Sequence, residues 1–340
     1  VLMLAGGSLL LAKVPGSFVP DEDQGAIIAS AVLPDGATLA RTERTTEQLR
    51  QMNADNPAIQ NFFAINGFDF LGGGAKANAA TIFISMNPWE QRQQSSQQLA
   101  QAVSGMGLAL PDGIAFAFNP PAILGLGQAG GFEVFVQGRT EPDPMKLAQV
   151  TQDFIAALSQ HPALTGLQTF YRPTVPQLRV EVDREKALAL GVPVSEVFAA
   201  LQAQMGSYYV NDFNRQGRTY RVTMQADAPF RAKPEDLGRL YVRSQTSGQM
   251  IPLKVLIRVS DIVGPEQVER YNGYIAAKIF GSAAPGHSSG EAIAAVEQVA
   301  REHLPAGYSI EWTGQAFQEK RTGNASVFAF GFALIMVYLI

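Results

Sequence analysis

The sequence predicts an α+β fold that contains two βαββαβ units, the second split by an inserted α+β module, with partial transmembrane helices at the two ends. Three observations predict this architecture. Strand-like and helix-like stretches follow one another in the same order twice. About a hundred residues with their own pattern interrupt the second series. Uncharged, apolar runs occupy both ends of the sequence, and such runs predict contact with a membrane.

The first unit is predicted over residues 25–130. Short apolar stretches indicate strands, and residues such as Leu39, Thr46 and Leu49 recur on one side at helical spacing. The resulting order, βαββαβ, is that of a ferredoxin-like unit. The strands are predicted at 25–33, 60–65, 81–86 and 113–118, and the helices at 38–52 and 91–106.

The second unit is predicted over residues 131–172 and 264–314. Its first helix is expected to begin at Asp143, which has the character of an N-cap and is followed by a proline. Its second helix is expected to begin at Ser288, because Glu291 follows at the spacing of a capping box. The two parts together complete a second ferredoxin-like unit.

The interruption, residues 173–263, is predicted to be a small α+β module that projects from the second unit. It contains strand-like stretches on both sides of two short helical segments. Ser247-Gly248 lies between two of these stretches and is typical of a hairpin turn.

Residues 1–12 and 322–340 carry no charged side chain. A membrane-spanning helix needs about 20 apolar residues, so the first run is too short and the second is still apolar where the sequence stops. We predict that they are the end of one transmembrane helix and the start of another, with about 300 residues between them on one side of a membrane. A signal peptide at the start is the competing interpretation.

The composition limits the classes of function. Hydrophobic residues make up 46% of the chain and charged residues 16%, so the polar surface is small and large buried interfaces or membrane contact are expected. The net charge of -4 gives no electrostatic footprint for nucleic acid. The chain has no cysteine, which excludes disulfides and cysteine-based metal sites.

Motifs of enzymes and cofactor-binding proteins are weak in this sequence. The string Gly125-x-Gly127-x-x-Gly130 precedes a predicted strand, whereas a dinucleotide-binding loop opens a helix. The glycines before Lys76 lack the Gly-Lys-Ser/Thr ending of a phosphate-binding loop. No histidine stands in a zinc-binding or nucleophile-activating pattern. We therefore predict that the chain is not an enzyme and has no catalytic residue, cofactor or metal.

Aromatic residues surround a glycine-rich stretch, residues 67–80. A single phenylalanine is usually a core residue, but Phe68 and Phe70 lie at the edge of a segment that has little side-chain volume. Such residues form an apolar, adaptable wall, in which each phenylalanine buried against a guest contributes about 1.5–3 kcal/mol. Further phenylalanines of the same pattern are Phe62, Phe63, Phe83, Phe116 and Phe118.

Several stretches, in order along essentially the whole chain, resemble resistance–nodulation–division (RND) multidrug efflux pumps of the hydrophobe/amphiphile class. The similarity covers the second periplasmic loop of these pumps. It is carried by Val19-Pro20-Asp21-Glu22-Asp23-Gln24-Gly25, Asn66-Gly67-Phe68-Asp69-Phe70, Tyr209-Val210-Asn211-Asp212-Phe213, Glu269-Arg270-Tyr271-Asn272-Gly273 and Trp312-Thr313-Gly314.

The resemblance implies a site for hydrophobic and amphiphilic molecules between two porter subdomains, and a docking module in residues 173–263. The glycine stretch would be the switch loop between a deep pocket and an entrance pocket, longer here by about two residues than the common form. The implied deep pocket contains Phe63, Ile65, Phe68, Phe70 and Phe83, the entrance pocket Phe116 and Phe118, the switch loop Gly67, Gly72, Gly73 and Gly74, and the docking hairpin Ser247 and Gly248.

The resemblance further implies a homotrimer in a Gram-negative inner membrane, most of this segment being periplasmic. Its partners would be a periplasmic adaptor protein and an outer-membrane channel, and the proton-relay residues would lie outside this chain. Two alternatives stay open. One is an RND relative that exports another cargo, a lipid or a metal, and the other is a structural docking module without a ligand of its own.

Overall fold

The computed structural model describes residues 19, 22–123, 125–322, 332, 333, 335–337 and 339 of the 340-residue chain. The chain has a mixed α/β structure that divides into two compact units. One unit contains the described residues up to Thr174 together with those from Pro265 onwards, and the other is Val175–Gly264.

The first part of the larger unit is a four-stranded antiparallel sheet with two helices. Its elements follow one another in the predicted order. The strands are arranged β2-β3-β1-β4 in the sheet, so the two central strands are β3 and β1. The elements are β1 (Ala26–Val32), α1 (Leu39–Met52), β2 (Ile59–Phe68), β3 (Ala75–Met86), α2 (Ser96–Leu108) and β4 (Ile114–Phe118).

Helices α1 and α2 cover one face of this sheet. Leu49 of α1 and Leu99 and Val103 of α2 are fully buried there. Helix α2 begins with a capping box, in which Ser95 Oγ accepts from Gln98 N and the Gln98 side chain accepts from Ser95 N. The sheet residues buried in this core are Ile27, Ala29, Ala31, Ala80, Ile82, Ile84, Met86 and Ala115.

The glycine-rich stretch is shorter as a loop than the sequence predicted. Gly67 lies within β2, and residues from Ala75 onwards lie within β3, so the loop comprises only residues 69–74. The predicted loop over residues 67–80 is therefore wrong at both ends. The small side chains before Thr81 do not prevent this segment from pairing as a strand. Asn78 Nδ2 also donates to the carbonyl oxygen of Leu33, directly after the adjacent strand β1, at 3.1 Å.

The second series of elements begins with β5 (Phe132–Gly138), α3 (Pro144–Leu158) and β6 (Leu164–Thr169). Asp143 is the N-cap of α3, as predicted, and its Oδ1 accepts from Met145 N at 2.8 Å. The series is then interrupted by the smaller compact unit.

The smaller unit begins with β7 (Val175–Val182), which is paired with its last strand. Its own core contains Ala187, Val192, Val197, Val242, Leu253 and Leu256. Its elements after β7 are α4 (Arg184–Ala189), α5 (Val194–Leu201), β8 (Tyr208–Arg215), β9 (Arg218–Met224), β10 (Tyr241–Arg243), β11 (Met250–Pro252) and β12 (Ile257–Gly264).

The second series resumes with β13 (Glu269–Tyr271), β14 (Tyr274–Ala283), α6 (Ser289–His303) and β15 (Tyr308–Thr313). Strand β14 pairs with β6, β13 and β5, and β5 pairs with β15. The order β6-β14-β5-β15 therefore repeats the order of the first sheet. The predicted capping box is confirmed, because Ser288 Oγ and the Glu291 carboxylate each accept from the backbone N–H of the other residue.

The two predicted partial transmembrane helices fall largely on residues that the structure does not describe. Residues 1–12 lie outside the described residues, and of 322–340 only 322, 332, 333, 335–337 and 339 are described. A further helix, α7 (Gly314–Thr322), follows β15 directly. Within the described part of the chain, no helix has the length and apolar character needed to cross a membrane.

Candidate functional site

One face of the first sheet carries aromatic side chains in a row across its strands. Phe63 on β2 lies opposite Phe83 on β3, and Phe83 lies opposite Ile28 on β1. Ile28 in turn lies opposite Phe118 on β4. Directly paired residues of antiparallel strands point to the same face of a sheet. Residues predicted for the deep pocket and for the entrance pocket therefore share one face.

A second row on the same face lies two residues away along the strands. It runs from Ile65 through Thr81 and Ser30 to Phe116. The Ser30 and Thr81 side chains in its centre are buried. The Ser30 hydroxyl has no hydrogen-bond partner among the described residues. The Thr81 hydroxyl, by contrast, forms hydrogen bonds with the backbone of Phe68 and Phe70.

The β2 side of this face is open to solvent. Phe63 is 61% exposed and Phe83 is 37% exposed, although they are neighbours in an otherwise apolar sheet. Ile65 is exposed as well, and so is Phe68 at the end of β2, beyond a shift in the register of its pairing with β3. We call these four residues the open aromatic face. Helices α1 and α2 cannot cover it, because they pack on the opposite face of the sheet.

The β4 side of the same face is covered by Phe170, which follows β6, and Phe280, which lies in β14. The rings of Phe116 and Phe170 are 5.2 Å apart, and those of Phe170 and Phe280 are 5.6 Å apart in an edge-to-face arrangement. We call the whole group the aromatic cluster, and its members are Phe70, Leu71, Phe116, Phe118, Ala129, Phe170 and Phe280.

The six residues 69–74, which we call the glycine loop, join β2 to β3. Asp69 N donates to Gly74 O at 2.9 Å, and Gly72 N donates to Asp69 Oδ1 at 2.8 Å. Gly73 and Gly74 have φ of +79° and +97°, a region of backbone conformation that other residues rarely adopt. Gly72 is needed for another reason, because a Cβ there would lie 2.2 Å from Asp69 Oδ2.

Two side chains hold the aromatic end of the glycine loop in place. Thr81 Oγ1 accepts from Phe70 N at 3.0 Å and donates to Phe68 O at 2.9 Å. Gln128 Nε2 donates to Phe70 O at 3.1 Å, and Lys278 Nζ donates to Gln128 Oε1 at 3.0 Å. The backbone around Phe70 is therefore bonded to the first sheet and, through Gln128, to β14.

A small charged cavity of about 120 Å³ lies beside the glycine loop. Lys76, Glu266, Glu269 and Lys278 are among the residues that line it. Burial raises the pKa of Glu269, and the positive charge of Lys278 opposes this effect. The Lys278 ammonium also lies 5.0 Å from the centre of the Phe135 ring.

Ser247 and Gly248 form the turn between β10 and β11, as the sequence predicted. Gly248 has φ of +71°, and its N–H donates to Ser244 O at 2.9 Å. Both residues are exposed, so their role in docking is compatible with their position but stays a prediction.

The other motifs have structural explanations. The string that contains Gly125, Gly127 and Gly130 is followed by strand β5, as predicted, and Glu133 Oε1 accepts from Ala129 N at 3.3 Å within it. Among the described residues, no three His, Cys, Asp or Glu side chains converge in a way that could hold a metal ion.

The whole sequence matches one family of known proteins. A family model described as the AcrB/AcrD/AcrF family matches residues 1–340. The chain belongs to the AcrB/AcrD/AcrF family. The similarity of the sequence to RND efflux pumps is therefore confirmed at the level of the family.

Curated relatives in the AcrB/AcrD/AcrF family are similar over nearly the whole chain. The multidrug export protein AcrF of Escherichia coli (strain K12) is 37% identical over 345 residues, which are 99% of this chain and 33% of the relative. The toluene efflux pump membrane transporter TtgB of Pseudomonas putida is 35% identical over 342 residues, 99% of this chain and 32% of the relative. The chain spans about a third of the length of these relatives.

The structure of this AcrB/AcrD/AcrF-family chain divides the predicted site differently from the sequence. Phe70, which was predicted for the deep pocket, lies in the aromatic cluster with the predicted entrance residues Phe116 and Phe118. Phe170 and Phe280 of the same cluster were missed. Phe170 follows β6 and Phe280 lies in β14, and no local pattern around either residue indicates that it meets the first sheet.

Proposed function

We propose that this chain is the periplasmic substrate-binding and channel-docking part of a proton-driven RND efflux antiporter in a Gram-negative inner membrane. Its substrates would be hydrophobic and amphiphilic compounds. The observation that carries the proposal is the open aromatic face, on which Phe63 and Phe83 are exposed side by side. Large contiguous apolar patches on a protein surface are typical of sites for partners or ligands.

The proposed architecture consists of two ferredoxin-like porter subdomains and half of a docking domain. The porter subdomains are residues 25–130 and residues 131–172 with 264–314. Their equal strand order supports this assignment. The docking half is residues 173–263, and the separate compact unit Val175–Gly264 supports it. Residues 1–12 and 322–340 would be parts of transmembrane helices.

The proposed site has a deep and an entrance region on one sheet face. Phe63, Ile65, Phe68 and Phe83 would form the deep wall, because they are exposed and can bury area against a guest. A guest that buries one such phenylalanine gains about 1.5–3 kcal/mol. We propose that Phe70 changes sides with the glycine loop and contacts guests in either region. The remaining members of the entrance region are Phe116 and Phe118, and those of the switch loop are Gly67, Gly72, Gly73 and Gly74.

Transport in this proposal requires no chemical change of the guest and therefore no catalytic residue or cofactor. Proton transfer in membrane helices outside this chain would change the relative populations of conformations in which the cleft between the porter subdomains is open or closed. The pump would be a homotrimer that acts with a periplasmic adaptor protein and an outer-membrane channel. The exposed turn with Ser247 and Gly248 supports contact with that channel.

The decisive experiment uses the full-length protein that contains this chain, in a Gram-negative strain without its own pumps. Accumulation of a hydrophobic fluorescent dye is followed with and without a proton uncoupler. We expect low accumulation that rises on uncoupling. Unchanged accumulation, with adaptor and channel present and the protein in the membrane, would contradict the proposal and favour another cargo.

A further inference from the structure

Lys76, near the start of β3, has three oxygen atoms around its ammonium group. Nζ lies 3.2 Å from Asp69 Oδ2, 3.2 Å from Glu266 Oε2 and 3.4 Å from Gly72 O. The Lys76 side chain is only 12% exposed. A lysine in such a position is held by its partners, because a buried ammonium group without them would be poorly solvated.

The two ion pairs of Lys76 differ in strength. Asp69 is buried, with a side chain 4% exposed, so that removing the ammonium group would leave its carboxylate in a poorly solvated place. The Glu266 side chain is 26% exposed, and water can replace Lys76 there at lower cost. Breaking the Lys76–Glu266 pair therefore costs less free energy than breaking the Lys76–Asp69 pair, and the Lys76–Glu266 pair breaks first.

Glu266 belongs to the part of the larger unit that contains the second sheet. It lies in the segment before β13, and its N–H donates to Arg172 O at 3.1 Å in the segment after β6. Arg172 is itself paired with Asp35, which follows β1. Through its contacts with Asp69 and Gly72, Lys76 thus connects the glycine loop of the first subdomain to Glu266 of the second.

Gly72 lies so close to the Asp69–Lys76 ion pair that no side chain fits at its position. A Cβ at position 72 would lie 2.2 Å from Asp69 Oδ2 and 3.0 Å from Lys76 Nζ. At Gly73, by contrast, a Cβ would meet nothing within 4 Å. Because residue 72 has no Cβ, the Asp69 carboxylate can bind Lys76 Nζ through Oδ2 and accept from Gly72 N through Oδ1 at the same time.

We propose that Lys76 is the latch of the glycine loop. Lys76 and Asp69 stay paired, but when the Lys76–Glu266 pair breaks the loop lifts away from the second subdomain and loses the hydrogen bonds that Asp69 N, Phe70 N and Gly72 N donate in the closed loop. The consequence, that breaking this pair admits guests to the space under the loop, rests on the proposed function. Lys76 is in this sense a positioning residue, because it acts on guests through the conformation of the loop.

Hydrogen exchange in the full-length protein tests the latch directly. In the closed loop the N–H groups of Asp69 and Gly72 donate to acceptors within the loop and that of Phe70 donates to Thr81 Oγ1 on β3, so their exchange measures the opening of the loop. In Glu266→Gln we expect exchange of the peptide over residues 67–76 to be about tenfold faster, the equivalent of one hydrogen bond to a charged group. Exchange equal to that of the unchanged protein would overturn the proposal.

A matched control removes an exposed pair elsewhere in the same unit. Glu311→Gln breaks the contact of Glu311 with Arg139, at 3.1 Å, and is expected to leave exchange over residues 67–76 unchanged. Equal acceleration by Glu311→Gln and Glu266→Gln would show a general loosening of the protein and would also overturn the latch.

The dependence of exchange on salt concentration gives a second measurement. Added salt screens a partly exposed ion pair, so raising the concentration from about 0.05 to 0.5 M should accelerate loop exchange in the unchanged protein and much less in Glu266→Gln. The same acceleration in both would exclude the pair as the element that opens. Neither measurement depends on transport, so a failure of dye export contradicts the proposed function and leaves the latch to be judged by exchange alone.

Discussion

Phe63 and Phe83 lie directly opposite each other on β2 and β3, and both side chains are exposed although the other face of their sheet packs in a buried core. Cross-strand aromatic pairs usually stabilise a sheet by contact with each other and with a core. Here the contact with a core is missing on the β2 side of the face that carries the pair. The pair therefore has apolar area left for contact with another molecule. Substitution of either residue should then affect ligand binding more than stability.

Phe63→Ala is expected to change binding much more than stability. Because the side chain is exposed, the substitution should cost less than about 1 kcal/mol of stability, whereas Phe154→Ala in the core should cost about 3–5 kcal/mol. The dissociation constant for a hydrophobic dye, measured by fluorescence polarisation on the full-length protein, should rise about tenfold. A large drop in melting temperature with unchanged dye affinity would contradict the assignment of Phe63 to the deep wall.

Ser30 and Thr81 are paired residues with different hydrogen bonding, and their substitutions should have opposite outcomes. Thr81→Val removes bonds to Phe70 N and Phe68 O and should destabilise by about 1–3 kcal/mol. Ser30→Ala removes a buried hydroxyl that has no partner among the described residues, and should be neutral or stabilising. Melting temperatures of the two variants decide this. A clear loss of stability in Ser30→Ala would mean that this hydroxyl has a partner.

Asp23 should make stability depend on pH in the acid range. Hydrogen bonds from Arg92 lower the pKa of Asp23 from 3.8 to about 2. A carboxylate with a lowered pKa stabilises the folded state above its ordinary pKa, and this contribution is lost as the pH falls towards the folded value. Asp23→Asn should therefore cost about 2 kcal/mol at pH 7, and the difference from the unchanged protein should shrink between pH 5 and pH 3.

Glu22 provides the control for Asp23, because it precedes Asp23 in the chain and is exposed. At pH 7, Glu22→Gln should change the melting temperature much less than Asp23→Asn does. If Asp23→Asn lost the same stability at pH 3 as at pH 7, the Arg92 pair would not be the source of the effect. The pair itself is direct, because Asp23 Oδ2 lies 2.7 Å from Arg92 Nη1.

Ser247 tests the proposed docking hairpin by cross-linking. Residues 1–340 contain no cysteine, so Ser247→Cys introduces the single thiol of this segment, at an exposed turn. A thiol-specific photo-cross-linker attached there should capture the outer-membrane channel in cells that produce the whole assembly. Ser159→Cys, at the exposed end of α3, should not. Equal capture from both positions, or none from Ser247→Cys, would remove the docking role from this hairpin.

The order of the elements and many of their ends were readable from the sequence because the responsible interactions are local. Asp143 and the pair Ser288–Glu291 bond to backbone groups two or three residues away, so their spacing is enough to predict a helix start. The turn at Gly248 depends in the same way on neighbouring residues. The similarity of many such stretches, in order, also identified the family.

The limits of the glycine loop were predicted less well. The stretch before Thr81 was expected to be a loop because it is rich in glycine and resembles the switch loop of the family. In the structure β3 begins at Ala75, because pairing with β1 and β2 supplies the hydrogen bonds that a single segment cannot supply alone.

Only the tertiary structure decided how the site is divided. Phe70 lies with Phe170 and Phe280, and Lys76 reaches Glu266, because two sheets that are distant in sequence approach each other beside the glycine loop. Strand alternation shows that two residues share a face, but it does not show what covers that face. The sequence by itself determined the elements, their order and the family, since these depend on short-range patterns. The open aromatic face, the aromatic cluster and the latch depend on register and packing between distant segments, which no local pattern contains.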